Sequence, residues 1–436
     1  MRVATLRRPG SPAWRRHGSG FGLGVVGAVK PAKPGAGATL KAVIVGGGIG
    51  GLTAALAFLR VGWDVVVLEQ AAELGDVGTG LQISPNGMKV LSALGLSDAL
   101  RKVQFEPERL EMRLGRTGQY IFSIPLEGVA QTRWGASYLN FHRADLVGVL
   151  GAALEVRAPG ALRLGAVVSG YEQSDDQVAA ILADGSRIEG DVLVGADGLH
   201  SVVREQMHGV DRPRFTGNIA WRAVIPLDRL GDHAPPPNVC IWAGAGRHSV
   251  TYRVRGGDTV NFVGIVERDD TEMESWSHEG RKEDVLADFE GWHPVVRAVI
   301  EKADRHFCWA LYDRAPLSQW ADGQVALLGD AAHPMLPSMA QGAVMAIEDA
   351  WVLASLVGER KNIPTALEAY FGRRIDRTTR VQIRALANLR LFHQRTALRQ
   401  TVAYGPIWLA GRLVPNFLHS RQDWIFGEEV TSVHDP

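Results

Sequence analysis

Residues 41–69 read KAVIVGGGIGGLTAALAFLRVGWDVVVLE, and no other stretch restricts the fold so tightly. Ala42 to Val45 is a buried strand, Gly46-Gly47-Gly48-Ile49-Gly50-Gly51 a tight turn, and Leu52 to Val61 a helix with apolar residues spaced for a core face. Asp64 to Leu68 is a second buried strand, and it ends at Glu69. An acid about 20 residues beyond a glycine turn stands where a dinucleotide's adenosine ribose needs a hydrogen-bond acceptor. The glycines have separate tasks: Gly46 allows the turn, Gly48 lets backbone amides approach a pyrophosphate, and Gly51 lets helix pack on strand, with Gly50 in the same turn. A glycine turn without a ligand would explain the glycines alone, and 50 glycines in 436 residues make chance matches easy. Strand, turn, helix, strand and acid together argue for the ligand. Ala42 to Trp63 is also the longest apolar run, but its five glycines among the first ten positions, with Arg60 and Asp64 at its end, speak against a membrane span.

Two later motifs have the same strand-then-turn character. Val192-Leu193-Val194 is a buried strand ending at Gly195, and Asp197-Gly198 turns into a helix carrying Ser201 and Arg204. Gly323 to Leu328 is another buried strand, with Gly329-Asp330 at its carboxyl end, where open α/β sheets bind ligands. Gly329-Asp330-Ala331-Ala332-His333-Pro334 then bends through Pro337, and Ala340-Gln341-Gly342 leads into a helix from about Ala343 to Leu356. The amide end of such a helix offsets negative charge. Between the motifs lie a glycine-rich loop, Gly78 to Gly87, which contains Gln82, and a helix start, Phe141-His142-Arg143-Ala144-Asp145-Leu146.

In this order the motifs resemble those of the single-component FAD-dependent aromatic monooxygenases, the flavoprotein hydroxylases, from about Leu40 to the C-terminus. Asp423-Trp424-Ile425-Phe426-Gly427, His333 to Pro337, and Ala340-Gln341-Gly342 in place of the commoner Gly-Gln-Gly are similar to the salicylate hydroxylase- and 3-hydroxybenzoate 6-hydroxylase-like branch. The resemblance implies an α/β fold: a Rossmann-like FAD-binding domain of glutathione-reductase type, like that of p-hydroxybenzoate hydroxylase, with an antiparallel β-sheet substrate domain and C-terminal helices. Residues 40–110, 138–212 and 308–355 would form the discontinuous FAD domain, 111–137 and 213–307 the substrate sheet, and 356–436 the helical end.

The same resemblance places FAD contacts at Gly46, Gly48, Gly50, Gly51, Glu69, Gln82, Arg143, Asp197, Arg204, Gly329, Asp330, Gln341, Gly342 and Ala343. Asp330 would accept from the ribityl hydroxyls, and Asp197 and Arg204 would shape the pyrophosphate site and the passage of reduced nicotinamide. A routine turn at Asp197-Gly198 and surface arginines at 143 and 204 are the plainer alternatives. The implied reaction takes NADH or NADPH as transient co-substrate, forms a flavin C4a-hydroperoxide from O2, and hydroxylates an electron-rich ring. A hydroxybenzoate such as salicylate or 3-hydroxybenzoate is the expected substrate. Alternatives are a FAD monooxygenase of a pyridine carboxylate or polyketide, and a non-hydroxylating NAD(P)H oxidase or flavin-binding protein. No second GxGxxG follows a strand, as a resident nicotinamide domain would require.

Strand-like runs at Ile219 to Ile225, Val239 to Trp242, Ser249 to Val254 and Thr259 to Val266 form the substrate sheet. Trp221, Trp242 and Tyr252 are either core or substrate contacts. Arg222 and Arg253 are the candidate partners of a substrate carboxylate, which arginine pairs in bidentate fashion. A phenol also needs a base. His333 and Pro337 are the candidate catalytic positions, with a loop-holding role as the alternative for His333.

Lys+Arg and Asp+Glu are equal at 47 each, which argues against nucleic acid and anionic membrane surfaces as partners. Two cysteines without metal spacing indicate neither disulfide framework nor metal site, and a reducing, cytoplasmic setting fits. A monomer or homodimer is expected. Residues 1–39 hold five Arg, two Lys and no acid, and read as a disordered basic tail, with a targeting signal or start-site artefact as alternatives.

Overall fold

Hydrogen-bond register brings the three motifs together. In the computed structural model, which describes residues 39–75, 79–174, 176–268, 278–359 and 362–432, Lys41–Val45 is the central strand of a six-stranded sheet. The expected tail, apart from residue 39, and Gly78 of the glycine-rich loop lie outside the described residues. Asp64–Glu69 and Val192–Gly195 flank the central strand in parallel, and Leu162–Leu164 and Val325–Leu327 extend the sheet beyond them. Val45 pairs with both Leu68 and Gly195, and Gly195 with Leu327. The chain therefore leaves three neighbouring strands at one level, through Gly46, Ala196 and Leu328. The strands are buried on both faces, as their unbroken apolar runs require. Helices Ile49–Arg60 and Gly342–Glu359 pack on each other over the sheet.

The second sheet has eight strands in the order His278–Gly280, His306–Asp313, Arg214–Pro226, Thr259–Glu267, Arg247–Val254, Val239–Gly244, Arg109–Leu114 and Tyr120–Pro125. It is antiparallel except between Val239–Gly244 and Arg109–Leu114. Two expected boundaries shift. The return at 308 falls inside His306–Asp313, whose residues pair with Arg214–Pro226, so the chain leaves this sheet only after Asp313. The first crossing likewise starts at Arg109 rather than 111. One face of the sheet carries a separate apolar core with Trp221, Trp242, Phe262, Phe289 and Trp292. Trp221 and Trp242 are thus core residues, and the Trp221 indole donates to Asp288 at 2.6 Å. The other face turns toward the first sheet.

A 30-residue helix, Ile363–Phe392, runs from the first sheet to the second, and Ala397–Leu413 and two short helices close the end of the chain. Among the described residues no helix is long and apolar enough to cross a membrane. Where the long helix packs on Gly342–Glu359, it carries an ionic cluster built on the buried Arg374, Glu348 and Asp349. Arg374 bonds Asp349 Oδ1 through Nε at 2.7 Å and Glu348 Oε2 through Nη1 at 2.8 Å. Arg377 bonds Glu348 Oε1 at 2.7 Å, and Asn86 Nδ2 donates to the same oxygen at 2.6 Å. Asp349 Oδ2 holds His333 Nε2 at 2.5 Å and accepts from Gly329 N at 3.2 Å.

Burial alone would raise both carboxyls, but the facing cations outweigh it, and Glu348 and Asp349 lie below their ordinary values of 4.5 and 3.8. Stability from depressed carboxyls is complete above those ordinary values and is lost as pH falls through the lower folded ones. Arg374→Met leaves two buried carboxylates under-compensated and is expected to destabilise by about 3–5 kcal/mol. Chemical denaturation should show this loss shrinking as pH falls, because burial without Arg374 raises the stranded acids and lets them take up protons earlier than in the wild type.

Candidate active site

Gly46 and Gly51 are required by the protein itself. Gly46 has φ +108°, and a Cβ there would stand 2.4 Å from the Ala196 carbonyl; one on Gly51 would stand 1.9 Å from the Gly46 carbonyl. A Cβ on Gly50 would press on Leu328 Cδ2 at 2.7 Å. Gly48 differs, because a Cβ there would meet no protein atom within 4 Å. It is the N-cap of Ile49–Arg60, makes no side-chain cap, and borders two connected cavities. Open space before a helix N-terminus with bare amides suits an approaching phosphate.

The first cavity, about 510 Å³, lies along Gly47, Gly48, Glu69, Arg143 and Asp330. Glu69 accepts from Gly47 N at 2.6 Å and from Ala71 N at 2.8 Å, and a carboxylate retains lone pairs for further donors. Arg143 begins the helix Arg143–Arg157, and its own amide bonds Thr79 O at 2.8 Å. The second cavity, about 300 Å³, shares Asp330 and adds Gln82, Tyr252, Gly329, Gly342 and Ala343. Gly342–Glu359 makes its first amide bond from Met345 N to Gln341 O at 2.8 Å, so the Gly342 and Ala343 amides lead into the cleft. Asp330 follows Gly329, held at φ +61°, and its carboxylate opens onto the cleft. Surrounding protein raises its pKa, opposed by His333 and Arg143.

A third cavity of about 580 Å³ shares Gln82, His248, Val250, Pro337 and Ala340 with the second. Its wall is mostly apolar, with Phe122, Ile241, Leu391 and Phe426, and its polar groups include Tyr138, His248, Asn388 and Arg384. Tyr138 donates to Gln82 Oε1 at 2.6 Å. Ala340 sits at the junction with φ +52°, a left-handed conformation that costs an alanine about 1–2 kcal/mol.

Several expected residues act at one remove. Asp197 accepts from Val202 N at 2.9 Å and Val203 N at 3.3 Å, and so anchors the start of helix Val202–His208. Arg204 is buried, donating to the Ala331 and Ala332 carbonyls at 3.1 and 3.2 Å and to Asp211 at 2.7 Å. It braces the third motif and borders none of the three cavities. Gln341 donates inward to Ser84 Oγ at 2.9 Å. Pro337 borders all three cavities.

Two candidates need correction. His333 borders none of the three cavities: it is buried against Trp320, with ring centroids 4.9 Å apart, and bound to Asp349. Arg253 also faces away, donating to the Pro235 carbonyl at 2.8 Å, because alternation along its strand turns Tyr252 to the cleft instead. Arg222 does border the first two cavities, stacked 4.3 Å over Trp309. Sequence reasoning missed His248, which lines the second and third cavities. Its period-2 spacing from Val250 and Tyr252 was the available signal.

Comparison with known proteins agrees with this geometry. Residues 39–384 match the FAD binding domain family, and the chain belongs to it. It is 38% identical to 3-hydroxybenzoate 6-hydroxylase 1 of Aquipseudomonas alcaligenes over 89% of this chain and 98% of that one. It is 36% identical to 3-amino-4-hydroxybenzoate 2-monooxygenase PtnB3 of Streptomyces platensis over 90% and 97%. The structure of Klebsiella pneumoniae HpxO complexed with FAD and uric acid superposes with a TM-score of 0.77 at 26% identity, covering 87% of this chain and 96% of that one. The protein is an FAD-dependent aromatic monooxygenase. Its open glycine, two helix N-termini, Arg143 and the acceptors Glu69 and Asp330 fit that cofactor.

Gly48→Val should fold with a near-normal melting temperature yet purify nearly colourless, because its branched side chain meets the cofactor rather than protein. Asp330→Ala should raise the FAD dissociation constant by about 1.5–3 kcal/mol, roughly 10- to 150-fold. Asp423→Ala is the control, since Asp423 instead ties Arg133 and Trp134 at 2.7 and 2.8 Å.

Proposed function

We propose that this enzyme hydroxylates an aromatic ring bearing both a hydroxyl and a carboxylate, a hydroxybenzoate such as salicylate or 3-hydroxybenzoate, with NADH or NADPH as reductant. The observation that carries this reading is His248, a buried imidazole on the wall between the flavin-side and apolar cavities. Bound FAD supplies the oxygen-transfer chemistry. His248 takes the proton from the ring hydroxyl, which makes the ring more electron-rich at its ortho and para carbons. Burial and the neighbouring His393 hold the His248 pKa well below its ordinary value, so it is neutral and available as a base.

Arg384 supports the acid. It lines the third cavity and, with Arg380 and Arg421 beside it, has no carboxylate partner among the described residues. A benzoate carboxylate leaving water needs such a partner. The names of the two relatives, a 3-hydroxybenzoate 6-hydroxylase and a 3-amino-4-hydroxybenzoate 2-monooxygenase, point the same way. The mostly apolar wall disfavours water, and fewer waters near the flavin mean less waste of the oxygen-transfer step.

The test is a panel of salicylate, 3-hydroxybenzoate, other hydroxybenzoates and hydroxypyridine carboxylates, scored for NADH or NADPH oxidation, peroxide release and hydroxylated product. Coupled product from a hydroxybenzoate is expected. Oxidation that yields only peroxide with every compound overturns the reading in favour of an oxidase. With the best substrate, His248→Gln should lower the hydroxylation rate by about 10²- to 10⁴-fold, while substrate affinity changes little. Arg384→Met should weaken binding of the acid roughly tenfold and leave its carboxamide almost unaffected.

A further inference from the structure

His248 does not end at the cavity wall. Its Nδ1 lies 2.7 Å from Nε2 of His393, the residue that caps the long helix Ile363–Phe392. Nδ1 of His393 lies in turn 3.0 Å from Oε1 of Glu267, the last residue of strand Thr259–Glu267. The two imidazoles are buried, whereas the Glu267 side chain is 30% exposed and pairs with Arg395, itself 71% exposed. Two consecutive strands and the end of a helix 126 positions beyond Glu267 thus place a row of titratable groups between the apolar cavity and solvent.

We propose that His248, His393 and Glu267 are a proton relay that carries the substrate's hydroxyl proton away from the apolar cavity. This rests on the hydroxyaromatic reading above. The row has one direction. A carboxylate only accepts, so His393 Nδ1 carries a hydrogen and its Nε2 a lone pair. His248 Nδ1 must then be the donor to His393, which leaves the His248 Nε2 lone pair for the cavity. When the substrate O–H bond breaks, its proton bonds to His248 Nε2. The Nδ1 proton of His248 passes to His393 Nε2, and the Nδ1 proton of His393 passes to Glu267 Oε1 and on to water. No imidazolium has to persist beside the apolar wall. Return of a proton to the product oxygen along the same row restores both tautomers.

The electrostatics agree. Burial, reinforced by His393, holds His248 low; burial also lowers His393, against the pull of Glu267 and with the help of Arg247 and Arg395. Burial would raise Glu267, but His393 and Arg395 bring it below its ordinary value. Neutral rings ending at a carboxylate are the resting state a relay requires. The rings also keep their alignment, because His248 packs at 5.1 Å against Phe392, next in sequence to its partner.

His393→Phe and Glu267→Gln test the proposal in the FAD-loaded enzyme, with flavin content and melting temperature as checks on folding. With a substrate from the panel, both variants should keep KM and lose at least tenfold in the hydroxylation rate near neutral pH. The loss should shrink as pH rises toward the phenol's own ionisation. A merely structural role would lower the rate alike at every pH, and that result, or unchanged rates, overturns the relay. Nitrogen-15 imidazole NMR of the wild-type enzyme gives a second reading that needs no substrate. Nδ1–H tautomers on both rings support the relay, and an Nε2–H tautomer on His248 overturns it. If no compound in the panel is hydroxylated, the proposed function falls, while the NMR result still decides the direction of the row.

Discussion

The buried contact of Arg374 with Glu348 and Asp349 is the joint on which both walls of the cleft depend. Asp349 holds the Gly329 amide and His333, and so sets the turn that presents Asp330. Glu348 holds Asn86, whose amide also reaches Gln341 at 3.3 Å, so the loop after Gln82 and the start of Gly342–Glu359 are fixed to each other. Removing such charges from water is expensive, and the cluster is tolerable only because its members satisfy one another. Its product is position more than stability. The long helix that supplies Arg374 and Arg377 also delivers Arg384, Asn388 and Leu391 to the substrate cavity. One ionic joint therefore aligns the flavin-side turn with the substrate wall.

The dinucleotide side was legible in sequence because its determinants are local. A glycine turn between a strand and a helix is written in consecutive residues, and burial of the parallel strands leaves the register few choices. That register carries Gly46, Ala196 and Leu328 to one level. The roles of single side chains were less legible. Arg204 and Asp197 sit in a recognisable motif, yet Asp197 spends its hydrogen bonds on the adjoining backbone and Arg204 on two carbonyls and Asp211. His333 was read with its motif, but its partner Asp349 comes from the following helix and turns it inward.

The substrate side was scarcely legible. Tyr252 and Arg253 are adjacent, and only the sheet's packing decides which of them faces the cleft. His248 and His393 are 145 positions apart, and no local pattern joins them. They meet because the end of a 30-residue helix happens to cross strand Arg247–Val254. Arg384 is likewise one of many arginines on an amphipathic helix until the cavity shows which end of it is lined. Sequence patterns report the secondary structure that builds a site. The residues that select a substrate are set by contacts between elements.

The polarity of the cleft has a consistent sign from end to end. Gly48 and Gly342 open two helix N-termini onto it, and Arg143 begins a third helix beside them. Helix N-termini carry roughly half a positive charge each, with bare amides to match. At the far side, Arg384 and Arg421 line the substrate cavity, with Arg380 next to them. The acids on these walls are Glu69, which is held by two amides, Glu73, and Asp330, whose pKa is raised by the protein around it. Such a field suits a pyrophosphate at one end and a carboxylate at the other, but it makes a proton accepted inside the cavity costly to keep. In the hydroxyaromatic reading proposed above, a proton taken from the ring hydroxyl is better held outside such a cleft than within it. Among the described residues lining the substrate cavity, His248 is the histidine whose ring meets a second imidazole and, beyond it, a carboxylate at the surface.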